Sequence, residues 1–446
     1  MPEYAHSLRD VDPAAPRESH VIIASRVFPA TGAATIIDGA VVTDGDGIVW
    51  VGPASDLPHR WAEQAVHHPG ATILPGLIET HAHLGSYAPR LDPRPEGDRE
   101  VALTALSSAA MARQLASLGV TTVQSLGSPH YADVALRDAI ASGILAGPRI
   151  VAAGPQLTTT GGHAWRNGAE VDSLSQIRAE VRAHHKAGVD VIKVMATGGF
   201  MTAGTAPWNA QFTEEELRTV VEEAHRLGHH TAAHAHGTEG IRRAVRAGFD
   251  YIAHASFVDK EGRTAFDSEL ADELARNGTF VDVCSPPSWP AVAGETIAPR
   301  AGELYRHGVR LVTGHDIGAV IPASAFIHGL EQLHEAGLPI TEVLLSATSR
   351  AAAAVGLAGR TGVLAQGYAA DLIVVDGDPT ADLSSLRNLR FILTDGHRFI
   401  PQAVEPFDPN RLHSPGGAGP QEARSAYAAG LRRRLTHPDP IPQPIA

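Results

Sequence analysis

From residue 76 to residue 337 the chain repeats one unit: a short apolar run rich in strand formers, a loop, then a stretch with apolar residues at helical spacing. The apolar runs fall at 72–78, 120–126, 149–153, 189–195, 230–234, 250–254, 279–283 and 310–313. Between them, Thr213-Glu-Glu-Glu216 opens a helical stretch, with Thr213 and Glu216 spaced as a capping box. Eight strands alternating with helices predict an α/β fold, a (β/α)8 barrel of the TIM type over residues 71–360. An open doubly wound sheet is the alternative. No glycine-rich nucleotide fingerprint follows the first run, which counts against it.

The flanks carry a different rhythm. Runs at 21–23, 40–43, 47–51, 371–375 and 389–394 alternate apolar and polar residues between Gly and Asp, the pattern of short antiparallel strands. They predict a small β-sandwich domain assembled from both ends of the chain, residues 1–70 and 361–400. Residues 401–446 form a tail rich in Pro, Ala and Arg, with one helix expected near 421–435.

Composition narrows the partners. Hydrophobic residues make up 43% of the 446 and charged residues 19%, as in soluble enzymes, and no apolar run approaches the roughly 20 residues that span a bilayer. The first 17 residues mix charges with prolines and lack a signal-like apolar stretch, so the expectation is a cytoplasmic protein. A net charge of −13 disfavours nucleic acid and anionic membranes as partners. A small-molecule or peptide substrate remains, with room for a homo-oligomer. The single cysteine, Cys284, excludes an intrachain disulfide and a thiolate cluster, so a metal would need His, carboxylate or modified Lys.

Of the 24 histidines, most sit where a surface or cap role suffices: His67 and His68 in a loop, His184 and His185 in a helical stretch, His307 before a Gly. Position selects the others. The first strand ends in Thr80-His81-Ala-His83, and residues two apart on a strand share a face, so both imidazoles can reach one ion. Alone, such a pair is equally two strand-end histidines with ordinary partners. Further ligand types fall at later strand ends, the rim where barrel enzymes place their sites. Lys193 lies in an apolar run, His234 and His236 end the fifth strand, His254 ends the sixth, and Asp316 follows the eighth. A lysine there either snorkels to solvent or is neutralised in place.

Four motifs resemble the amidohydrolase superfamily, in its imidazolonepropionase-like and Xaa-Pro dipeptidase or carboxypeptidase-like branch. They are Pro75-Gly76 through His81-Ala-His83, Ile192-Lys193 through Gly204-Thr205, Ala233-His234-Ala-His236-Gly-Thr-Glu-Gly240, and the run Gly362 to Val375. The resemblance implies two divalent metal ions. His81, His83 and Asp316 would hold one, His234 and His254 the other, and a carbamylated Lys193 would bridge them. Zinc suits that ligand set, and manganese, cobalt or iron fits it too. A metal-bridging hydroxide would attack an amide carbonyl, with Asp316 shuttling the proton to the leaving amine. His163 is the candidate donor to the oxyanion, with loop capping as its other role. His236, Trp208 and His315 are candidate substrate contacts; Trp208 serves equally as packing.

Three positions depart from the branch: Gln124-Ser125 where Arg-Asp is common, Ala253 where Glu is usual, and His315 before the aspartate in place of a small polar residue. All lie near the rim, where substrates are chosen. The expected reaction is cleavage of a peptide or amide C–N bond. The other readings are cyclic-amide (imidazolone-type) hydrolysis, tailoring of a ribosomal peptide as in bottromycin-type follower cleavage, and a non-catalytic scaffold, which the retained ligands argue against.

Overall fold

A computed structural model describes residues 19–86, 97–284, 300–318 and 320–408. The repeating units form parallel strands alternating with helices. Leu77–Ala82, Val120–Ser125 and Arg149–Ala152 make one ladder. A second orders Arg310–Leu311, Phe280–Val281, Tyr251–Val258, His230–Gly237, Val191–Met195, Leu157–Thr158 and Ala169–Glu170 side by side, every pair parallel. The Asp190 amide donates to Ala152 O at 2.7 Å, and the Thr80 amide to Thr313 O at 3.0 Å, so backbone bonds also join the ladders to each other.

The run expected as one strand at 72–78 divides at Gly76. Ala65–Pro75 belongs to the flanking sheet, and Leu77–Ala82 starts the parallel ladder. The junction needs glycine, because a Cβ there would lie 2.0 Å from Thr121 Oγ1. The fifth and sixth strands run three to four residues past their expected ends; His254 pairs with Ala235, and His236 sits where the register shifts between Ala235 and Gly237.

Three α-helices start where the sequence supplies a side-chain cap, Leu174–Ala187 among them with Ser173. Glu214–Arg226 opens with the full capping box of Thr213 and Glu216, and Ser268–Asn277 is capped by Asp267. Their buried faces, including Leu217, Val220, Leu270 and Leu274, join the central core.

Both flanks do combine. His397–Arg398, Leu389–Thr394, Leu372–Asp376, Ala65–Pro75, His20–Val27, Ile36–Asp44 and Gly47–Pro53 form one seven-stranded sheet. One neighbour pair, Ala65–Pro75 with His20–Val27, is parallel where antiparallel pairing was expected. Ile22, Val41, Ile73, Leu372 and Val374 give this sheet its own apolar cluster. Arg149 ties it to the parallel strands through Asp395 at 2.7 Å and Asp371 at 3.3 Å. The expected tail helix lies outside the described residues. No helix among the described residues is long and apolar enough to cross a membrane.

Candidate metal centre and active site

The candidate ligands converge at the carboxyl ends of the parallel strands. His81 is fully buried, and its Nδ1 donates to Asp282 Oδ2 at 3.1 Å. His83 Nδ1 donates to Gly127 O at 3.3 Å. Each acceptor fixes the proton on Nδ1, which leaves the Nε2 lone pairs facing inward. They meet Asp316 Oδ1 at 3.5 and 3.2 Å. Three electron-rich atoms at that separation repel unless a proton or a cation lies between them. His81 Nε2 has no hydrogen-bond partner among the described residues.

A second group adjoins the first. His234 Nε2 donates to Gly198 O at 3.2 Å, so its Nδ1 lone pair points at His254 Nε2, 2.8 Å away. His236 stacks on His254 with ring centres 4.2 Å apart. The ligand atoms of His81, His83 and Asp316 all lie within 4.8 Å of one another, and so do those of His234, His236 and His254. The arrangement fits two neighbouring cations. It also brings His236, expected to face substrate, into the second ligand group.

Lys193 completes the set. Its side chain is wholly buried, and Nζ finds no partner among the described residues. Burial lowers its pKa to about 8 against the opposing pull of Asp282, Asp316 and Cys284, which favours the free amine. Burial likewise holds His163 neutral, with a pKa lowered to about 4 although Asp316 acts to raise it. For Asp316, burial is outweighed by His81, His83 and Lys193, and its carboxyl is held well below the usual range. Burial, with His236 beside each, pushes His234 and His254 down. Neutral imidazoles and an ionised carboxylate are the forms that bind metal.

His254 and Asp316 adopt left-handed backbone, with φ of 72° and 59°. Non-glycine residues avoid that region unless the surroundings impose it, and such residues concentrate at functional sites.

Above the ligands lies a cavity of about 640 Å3. His163 walls it, its ring 4.7 Å from that of His234. The close approach explains Gly199, where a Cβ would sit 2.3 Å from the His163 ring. Apolar lining comes from Met195, Phe200, Met201, Val320 and Ile321, and Arg166 adds a cation at the mouth. Trp208 is not among the lining residues; its backbone packs against Gly237, and the loop offers Phe200 to Ala203 to the cavity instead. His315 is also absent from the wall. It is buried with its Nδ1 on Glu79 Oε2, turned away from the cavity.

Two carboxylates behind the ligands were missed. Glu79 Oε1 accepts from the amides of His81 at 2.7 Å and His315 at 3.0 Å, bracing the first and eighth strand ends against each other. Asp282 accepts from His81, from Tyr251 Oη at 2.7 Å, and from the Cys284 amide and thiol at 3.0 and 2.8 Å. Strand parity carried the signal, since Glu79 shares the face of His81 and His83. Asp282→Asn is expected to weaken metal binding by about 10–100-fold, the usual effect of removing an acceptor that orients a ligand histidine. Competition against a chromophoric chelator measures it; unchanged affinity would leave Asp282 a packing role only.

Comparison with known proteins agrees with this geometry. Residues 72–397 match the amidohydrolase family. The chain is 28% identical over 413 residues to ochratoxinase of Aspergillus niger, spanning 81% of this chain and 82% of that one. It is 26% identical over 397 residues to imidazolonepropionase of Rhizobium rhizogenes, spanning 81% and 92%. Among solved structures it resembles a Xaa-Pro dipeptidase with methionine bound in its active site, at 30% identity and a TM-score of 0.77, covering 86% of this chain and all of that one. The chain belongs to the amidohydrolase family.

Proposed function

We propose that this chain is a metal-dependent hydrolase that cleaves the C–N bond of an N-acyl amino acid or short peptide. The observation that carries the reading is the fully buried Nζ of Lys193, without a hydrogen-bond partner among the described residues and near enough to act electrostatically on Asp316, His234 and His254, members of both ligand groups. The frame is a (β/α)8 barrel over residues 71–360, supported by the backbone bonds at Ala152–Asp190 and Thr80–Thr313, with the seven-stranded sheet of both flanks as its companion. His81, His83 and Asp316 would hold one cation, and His234 and His254 the other, with His236 close enough to share. The Lys193 amine would add to carbon dioxide with release of a proton, and the carbamate so formed would supply a carboxylate to the same centre. Zn2+ suits the donors, as do Mn2+, Co2+ and Fe2+.

When bound, the cations supply Lewis-acid polarisation of the scissile carbonyl and a water acidified to near-neutral pKa. The protein's own groups do the rest. Asp316, ionised and open to the cavity, takes a proton at a carboxylate oxygen and returns it to the leaving nitrogen. Neutral His163 donates a hydrogen bond where negative charge develops on the carbonyl oxygen. The apolar wall receives the acyl side chain.

Arg166 receives the substrate carboxylate. Its guanidinium lies 5.0 Å from the Trp165 ring centre, three residues along the loop from His163. Arg166→Gln is expected to raise KM about tenfold for substrates with a free carboxylate, roughly the 1.5 kcal/mol of one charge-assisted hydrogen bond, and to leave their amides unaffected. The function itself is tested by assaying N-acyl amino acids, Xaa-Pro dipeptides and imidazolone propionate before and after chelation. Turnover of the first two classes that stops with chelator and returns with divalent metal is the expected result. No turnover of any amide with full metal loading would overturn the reading.

A further inference from the structure

His163 carries the oxyanion role in the reading above, yet it belongs to no helix or strand that would aim it. Three side-chain bonds fix the backbone there instead. The His163 amide donates to Gln211 Oε1 at 2.6 Å, the Ala164 amide donates to Thr202 Oγ1 at 2.9 Å, and Ala164 O accepts from Gln156 Nε2 at 3.1 Å. Ala164 is left-handed, with φ of 58°, a conformation that a residue with a Cβ keeps only where its surroundings impose it. Gln211 reaches beyond this loop. Its Nε2 donates to Met195 O at 2.7 Å and to Thr158 Oγ1 at 3.2 Å. A backbone amide only donates and a carbonyl only accepts, so these partners fix which way the Gln211 amide is turned. Its own backbone is pinned through its amide on Ala196 O at 2.8 Å, beside the Thr197–Ala210 bridge. Gly162 leaves the room, since a Cβ there would lie 2.9 Å from Gln211 Oε1 and 2.5 Å from Thr158 Oγ1.

We propose that Gln211 is a positioning residue for hydrolysis: it aims His163 by tying that residue's amide to the end of Val191–Met195, the strand that carries Lys193. The proposal rests on the reading of His163 as the donor to the carbonyl oxygen. Gln211 is not among the residues lining the cavity, so it acts through His163 and not on the substrate. The strand end is held in regular parallel pairing on His230–Gly237, and Gln211 passes that fixed position to a loop with no pairing of its own. Loss of Gln211 leaves both Ala164 bonds in place, and these hold the stretch that leads to Arg166. Substrate is therefore still bound while the donor loses its aim, and the cost falls on kcat.

A double-mutant cycle of Gln211→Met with His163→Ala, assayed on an N-acyl amino acid with the metal-loaded full-length chain, tests this. Methionine has similar reach and makes none of the three bonds. Expected is a kcat lower by about 10–100-fold in Gln211→Met, since a misplacement of roughly 1 Å costs up to about 100-fold, with KM unchanged. Once His163 is replaced, Gln211→Met should cost nothing further, because the two residues act as one unit. Equal losses in both backgrounds, or a raised KM with kcat intact, would overturn the proposal and leave the hydrolase reading standing. No amide turnover by the wild type would overturn both. Gly162→Ala serves as the second variant, because its Cβ meets only side-chain ends that can yield, so the fold survives while the Gln211 amide is displaced. It should lower kcat in the same His163-dependent way, and full activity or a His163-independent loss would count against the proposal.

Discussion

Asp316→Asn is expected to lower kcat by about 10²–10⁴-fold, the usual contribution of a positioned general base, while the protein keeps its melting temperature and substrate KM. The substitution is nearly isosteric, and the side chain is open to the cavity, so the fold loses little. Its removal takes away the carboxylate that His81, His83 and Lys193 hold ionised. Stopped assays on an N-acyl amino acid, with metal content measured on the same sample, check it. Full activity at full metal content would refute the proton shuttle. Lost activity with lost metal would make Asp316 chiefly a ligand.

Lys193→Ala should reduce kcat/KM by more than about 100-fold, since removing a bridging ligand costs more than the 10–100-fold of an outer-shell change. Metal stoichiometry should halve. The distinguishing arm is rescue: acetate or propionate can enter the space vacated by the side chain and supply the missing carboxylate, restoring part of the rate. A variant that stays folded, keeps its full metal complement and ignores added carboxylate would show that Lys193 is no bridge.

The ligand positions were legible because strand ends and chemistry coincide. The two-residue spacing of His81 and His83, a lysine inside an apolar strand, and an aspartate just past the eighth run each break a local pattern, and the structure sets His81, His83 and Asp316 beside His234 and His254. Where the reading went astray, adjacency had been allowed to stand for direction. His315 was placed with substrate because it departs from the branch near the rim, yet its ring is held on Glu79. Trp208 was chosen as part of the loop at 199–211, whereas residues 200–203 of that loop line the cavity. Glu79 was visible by the same parity that marks His81, but a carboxylate behind a histidine, Asp282 included, has no signature of its own until its partners are known. The junction at Gly76 depends on Thr121, more than forty residues away, and no local pattern encodes such a clash.

The flanking sheet bears on how the chain is made. Ala65–Pro75 lies between His20–Val27, already synthesised, and Leu372–Asp376, which emerges some three hundred residues later. Through most of translation this strand therefore has one open edge, and Ile73 and Leu74 wait for partners that do not yet exist. Pairings of such long sequence separation form slowly, and an unpaired apolar edge invites association with other chains. The last part of the sheet to reach the ribosome exit thus acts as a clasp, and a polypeptide that stops before Leu372 should aggregate even with every metal ligand already in place.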